Sequence, residues 1–173
     1  YRGYVQILSM LSDDSPMEPL GVFDSGIRFV GSKALKFAGV FTDEMSIYRF
    51  NYPEMSVMID GEQAGDYGNQ ALLLDGQLYE ATYGNVYGGD IGEIVFDTGT
   101  DGENLLVIGE SYDNAVLKLL ASHFSKTFSI DLRYYEHSIE QPFDFYEYVR
   151  THNISKVLLV GNIDYYIMSE FML

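Results

Sequence analysis

The chain has 173 residues, 47% of them hydrophobic and 15% aromatic, with 17 Gly and 4 Pro, a composition that excludes disorder and collagen-like repeats and suffices for one soluble domain with a sizeable core. Ten basic residues against 26 acidic ones leave a formal charge of −16, so nucleic acid and anionic membrane surfaces are not expected partners. Cysteine is absent, which removes disulfides, thiolate zinc sites and cysteine nucleophiles together, and no apolar run approaches the roughly 20 residues of a membrane span.

Tyr4, Ile7, Leu8 and Leu11 repeat at helical spacing and predict a helix over Tyr1–Ser12, stopped by Asp13, Asp14, Ser15 and Pro16. A helix that starts at the first residue, with no cap before it, is expected to continue an element lying upstream. Leu20 to Glu103 reads as short strands and turns, with strands at Met45–Tyr52, Met55–Asp60, Ala71–Leu74, Gln77–Ala81 and Glu93–Asp97. Asp75-Gly76 is a two-residue hairpin signal, Asp101-Gly102 marks a second turn, and Tyr83–Asp90 reads as a Gly- and Tyr-rich surface loop.

From Asn104 the pattern becomes βαβαβ. Asn104–Gly109 is a continuous apolar run of the kind a buried parallel strand shows, followed by a helix over Tyr112–Phe124 and a strand over Phe128–Leu132. A second helix spans Phe143–Thr151, with Pro142 at its first turn and Asn153 past its end, and Ile154–Gly161 forms a third buried strand. The expected fold is α/β, with a parallel sheet in the C-terminal part (104–173) and, in 1–103, a helix plus a β-rich insertion, all in a single domain.

In open parallel sheets ligands collect at the carboxyl ends of strands. Three such tips follow: Gly109-Glu110-Ser111, Asp131-Leu132-Arg133-Tyr134-Tyr135 and Gly161-Asn162-Ile163-Asp164. Ser111 lies between a buried strand and a helix start, where it could attack an ester carbonyl with backbone N–H groups holding the oxyanion. The same position suits a helix N-cap, a role open to Glu110 or Ser111. Asp113 departs from the G-x-S-x-G elbow of α/β-hydrolases. His123 and His152 read as helix-end residues, while His137, in a loop after a strand tip, could act as a base. Arg133 either pairs with Asp131 or Glu136 or binds a carboxylate or polar sugar group. Tyr83, Tyr87, Tyr134 and Tyr135 fall in predicted loops where aromatic faces can stack on sugar rings. The acidic pairs Asp13-Asp14 and Asp43-Glu44 have no His at ligand spacing, so neither a metal nor another cofactor is expected.

Leu105–Ala115 (LLVIGESYDNA) resembles the nucleophile block of the SGNH/GDSL hydrolase superfamily. Phe124-Ser125 followed by Ile130–Tyr135, Tyr83 with Tyr87-Gly88-Gly89-Asp90, the Phe145-Tyr148-Val149 helix and the Val157–Val160 strand narrow the resemblance. They point to its DHHW family, a bacterial extracytoplasmic branch related to alginate O-acetyltransferase-like proteins. The resemblance spans most of residues 80–165. It implies an SGNH-like (flavodoxin-like) three-layer domain, exported to the bacterial cell envelope or beyond, with a carbohydrate or acyl-ester substrate. Ser111 would be the nucleophile, Gly109 and the Ser111 N–H would shape the oxyanion site, and Asn162 would help hold the oxyanion. Arg133, Tyr83, Tyr87, Asp90 and Tyr134 are the candidate substrate contacts. Two departures stand out: Glu110 replaces the usual Asp, and the family's Asp-x-His-Trp stretch is missing. In its relatives that stretch precedes a helix like Tyr1–Leu11, which implies a chain beginning a few residues after it. Serine esterase or O-acetyltransferase is the activity implied, and a non-catalytic glycan- or envelope-binding module is the rival.

Overall fold

The computed structural model describes residues 1–30, 43–65, 67, 80–81, 84, 87–89 and 91–162. The chain forms two compact units: Tyr1–Pro16 with Tyr52–Asp66 and Asp90–Leu173, and Met17–Asn51 with Tyr67–Gly89.

The second unit holds a three-stranded sheet. Its central strand β1 (Gly21–Phe29) pairs antiparallel with β2 (Asp43–Arg49) and parallel with the short β5 (Glu80–Ala81). β1 has no counterpart among the predicted strands. The ladder shifts register between Asp24 and Arg28, and such an irregularity breaks the two-residue alternation by which a strand is recognised. The expected Asp75-Gly76 hairpin lies outside the described residues, apart from Glu80 and Ala81.

The first unit is mixed α/β. It begins with helix α1 (Arg2–Leu11), whose apolar stripe buries Tyr4 and Leu8 and which ends where Ser12 turns extended. Strands β3 (Ser56–Ile59) and β4 (Glu62–Ala64) make a hairpin across Asp60-Gly61, both at positive φ as a type I′ turn requires. β6 (Glu93–Asp97) and β7 (Asn104–Gly109) follow, then helix α2 (Asn114–Ala121) and β8 (Lys126–Ile130). Two short helices, α3 (Tyr135–Ile139) and α4 (Phe145–Thr151), lead to β9 (Ile154–Val160). The strands order as β4-β3-β6-β8-β7-β9. β8, β7 and β9 run parallel, as the βαβαβ reading predicts, and β6, β3 and β4 add antiparallel beyond β8.

β7 sits between two parallel partners, and Leu105 through Ile108 are fully buried on both of its faces. On one face Leu106, Ile108, Phe128 and Ile130 pack with Tyr135 of α3 and Tyr148 of α4. Residues one position along a strand point the other way: Ser129 reaches Asp113 at the start of α2. Full burial of the four apolar side chains Leu105–Ile108 is worth roughly 1.5–3 kcal/mol each.

The structure corrects several boundaries. α2 begins at Asn114 because residues 111–113 form a turn closed by the Asp113 N–H on the Glu110 carbonyl. Its last turn tightens to bonds three residues apart, from His123 to Leu120 and from Phe124 to Ala121, so the regular helix stops at Ala121. α4 is capped by Asp144, whose carboxylate accepts the Glu147 N–H at 2.9 Å; Pro142 precedes that cap. Asn153 takes φ 50° past the helix end, as its position predicts. The segment around His137, read as a loop, is helix α3. β9, read as a buried strand, is a sheet edge among the described residues, with Val157 and Leu159 exposed, because an apolar run alone does not tell a covered face from an open one. No helix among the described residues is long and apolar enough to cross a membrane.

Candidate active site

The carboxyl ends of β7, β8 and β9 meet. The last rung between β7 and β9 joins Gly109 to Val160, so Ser111 and Asn162 each stand two residues beyond it on neighbouring strands. Ile108 pairs with Ile130, so Ser111 and Arg133 each stand three residues past that rung. Adjacent strands lie about 4.8 Å apart, and the side chains close the gaps. The Glu110 carboxylate accepts the Asn162 N–H at 2.7 Å through Oε1, while Oε2 lies 3.8 Å from Arg133 Nη1. Arg133 Nε donates to both Asp131 oxygens, at 2.9 and 3.2 Å, and Nη2 donates to Oδ2. Of the readings open to Arg133, pairing with Asp131 is therefore realised, and Glu110 rather than Glu136 is the second carboxylate. Its guanidinium also lies 5.1 Å from the centre of the Tyr134 ring.

Ser111 is half-buried in the turn between β7 and α2. It is not the cap of α2, and neither is Glu110: the N-cap position belongs to Asp113, whose carboxyl makes no capping bond. That carboxyl turns inward instead. Ser129 Oγ donates to its Oδ2 at 3.3 Å, and the side chain packs on the backbone of Gly109. A Cβ at Gly109 would lie 2.8 Å from Asp113 Cγ, nearer still to Oδ2, and 3.0 Å from the Val160 carbonyl. Gly109 is thus the residue that lets a carboxyl group lie on the sheet directly beneath the Ser111 turn. Burial pushes the Asp113 carboxyl up to about 7; the Asp131 charge adds to the rise, while the Ser129 hydrogen bond and the Arg133 charge oppose it.

None of the three histidines is seen to contact this tip. Ser125 binds Glu103 just before β7, and the Asn104 side chain binds the His152 carbonyl, which puts His123 and His152 at the amino end of β7. A six-residue strand separates the two ends by roughly 17 Å. His123 Nε2 is 2.6 Å from the Tyr4 hydroxyl, and Nδ1 faces Asp14 at 3.5 Å; burial lowers its pKa, against the pull of Asp14. His152 packs against the rings of Phe128 and Tyr148, its pKa also lowered by burial. His137 is exposed on α3, next to Ser138, which packs against Gly92 at the start of β6.

Of the other candidate contacts, Tyr134 joins Arg133, while Tyr135, read as a loop residue, starts α3 and is buried in the core against Ile130 and Tyr148. Tyr87 belongs to the second unit, where its ring lies 6.0 Å from that of Tyr67 and burial raises its hydroxyl pKa. Tyr83 and Asp90 lie outside the described residues. Asp113 and the tip-to-tip role of Glu110 escape a reading by motif. The signal available for the first was a glycine ending a buried strand, followed four residues later by an acid in the turn.

The fold is similar to that of PatB1 from Bacillus cereus in a structure with a sulfonyl adduct, at a TM-score of 0.69 and 21% identity, covering 99% of this chain and 60% of that one. A second PatB1 structure gives 0.59 at 20% identity over 91% of this chain and 55% of that one. A DHHW family protein from Eubacterium siraeum gives 0.58 at 16% identity, over 93% of this chain and 54% of that one. At these identities the likeness is one of fold, and this chain spans a little more than half the length of those proteins. No family model matches the sequence, and no curated protein does. The resemblance to the DHHW family that the motifs carry is thus met at the level of fold.

Proposed function

We propose that this chain is the nucleophile-bearing part of a three-layer SGNH-like domain in an exported bacterial acyl-transfer protein, an esterase or O-acetyltransferase acting on a cell-envelope or extracellular carbohydrate. The observation that carries this reading is Ser111, half-buried in the turn that joins the central parallel strand to α2. The helices on either face of β7 support the layered fold, and the sulfonyl adduct in PatB1 supports acyl transfer. A sulfonyl group is what an activated hydroxyl acquires when it displaces a halide from a sulfonyl reagent.

Ser111 Oγ attacks the acyl carbonyl and passes its proton to a general base. The tetrahedral intermediate expels the alcohol, which takes that proton back, and an acyl-enzyme remains. Water or a sugar hydroxyl then repeats the sequence in reverse. The Ser111 N–H and Asn162 stabilise the oxyanion, and Arg133 with Tyr134 contacts the sugar. The base is a histidine outside these 173 residues, oriented by an aspartate, in keeping with the positions of His123 and His152 at the far end of the sheet. Those positions also favour the rival reading, a glycan-binding module without turnover.

The test is p-nitrophenyl acetate hydrolysis by the full protein and its Ser111→Ala variant, with phenylmethylsulfonyl fluoride labelling followed by mass spectrometry. Loss of rate by about 10³ or more, together with loss of the adduct, is the expected result. Equal rates and no adduct on Ser111 would leave it a turn residue and favour the binding module.

A further inference from the structure

We propose that Glu110 is the positioning residue of this site: one carboxylate ties the three strand tips together and sets Asn162 against Ser111. The inference rests on the acyl-transfer reading above. Past the Gly109–Val160 rung, the backbone ladder no longer holds β9 to β7. The next tie is made by a side chain: Glu110 Oε1 stands where a backbone carbonyl would and accepts the Asn162 N–H at 2.7 Å. Its other oxygen faces Arg133, which is fixed to Asp131 at the β8 tip. The Glu110 side chain is 12% exposed, whereas Asn162 is exposed and the hydrogen bond between them lies at the surface.

Glu110 adjoins Ser111 in the chain and does not need to touch the substrate. Its effect passes through the Asn162 backbone, and the length of its side chain is the relevant variable. Aspartate, shorter by one methylene, does not span from the β7 tip to Asn162 N; glutamine spans it and keeps the acceptor oxygen while giving up the charge that faces Arg133.

The test compares Glu110→Gln, Glu110→Asp, Glu110→Ala and Ser111→Ala in the full protein, by steady-state p-nitrophenyl acetate kinetics and by the rate of Ser111 sulfonylation. Misplacing an oxyanion donor by about 1 Å costs on the order of 10²-fold. Glu110→Asp and Glu110→Ala are therefore expected to lower kcat by about 30- to 100-fold with KM within about twofold, while Glu110→Gln stays within about threefold of the parent. A purely structural role would move stability without this split between glutamine and aspartate. Glu110→Asp at the parent kcat, or Glu110→Gln falling as far as Glu110→Asp, overturns the proposal. If Ser111→Ala is inactive while the Glu110 variants are unimpaired, this inference fails and the acyl-transfer reading stands. If Ser111→Ala keeps the parent rate, that reading fails first and takes this one with it.

Discussion

At the amino end of β7, β8 and β9 the charged groups pair off. Lys126 meets Asp97 at 2.8 Å, Lys156 meets Glu103 at 2.6 Å and also binds the Leu11 carbonyl that ends α1, and His123 is held between Tyr4 and Asp14. At the carboxyl end Glu110 and Asp131 face the Arg133 guanidinium, and the Asp113 carboxyl lies within reach of its charge. The amino end is a fastening, in which Lys126 and Lys156 each have an opposite charge at hand. The carboxyl end carries more acid than base, and burial leaves one carboxyl near neutrality in its pKa. Such imbalance is common where side chains serve chemistry rather than stability alone.

The largest effect expected from this contrast belongs to Asp113. Its folded pKa, about 7, lies above the ordinary 3.8, so between those values the folded chain holds a proton that the unfolded chain has lost. The stabilisation is fully present below about pH 4 and is lost as pH rises through 7, by up to about 4 kcal/mol. Asp113→Asn should remove that slope: urea denaturation should find the variant and parent alike near pH 4 and the variant more stable at pH 8. A difference constant across pH would show that the carboxyl is ionised throughout.

Next is Gly109→Ala, which drives a methyl into Asp113 and the Val160 carbonyl and should cost about 2–3 kcal/mol by overpacking. Shortening the obstacle as well, in Gly109→Ala/Asp113→Ala, should lose less than the sum of the single changes. Strict additivity in denaturation midpoints would mean that the two residues do not press on each other.

At the amino end the effects should be smaller. Tyr4→Phe leaves the His123 ring nitrogen without its hydroxyl partner, at a cost of about 1–2 kcal/mol, and should leave ester hydrolysis untouched because the change lies a strand's length from Ser111. Burial lowers the His123 pKa, so its contribution is present above the unfolded pKa of 6.5 and is lost as pH falls through the folded value. Thermal melts at pH 5 and 7.5 compare the two ends directly, since acid should weaken the His123 fastening while it relieves Asp113.

The strands from Asn104 onward were legible because their apolar runs are unbroken and their connections are of helical length, and the same pattern placed Ser111 at a strand tip. β1 was not, since Asp24 and the register shift erase the alternation that marks a strand. Nor was the exposure of Val157 and Leu159, which depends on neighbours that a run of apolar letters does not name. At the carboxyl tips, the motif reading named Ser111, Arg133 and Asn162, which the register sets on neighbouring strand ends. It missed that Glu110 would join them and that Asp113 would turn away from the helix it precedes, because both are consequences of register between strands distant in sequence.

The strand order has one further consequence. From β7 the chain steps to β8 on one side and then returns past β7 to β9 on the other. Right-handed crossovers taken in opposite directions carry their helices to opposite faces of a sheet, as α2 on one side and α3 and α4 on the other require here. The loops leaving β7 and β8 therefore diverge, and sheets of this winding collect ligands where the winding reverses. Ser111 stands at that point by topology. A substitution can change the side chains gathered there, but the switch point itself is moved only by rethreading the chain.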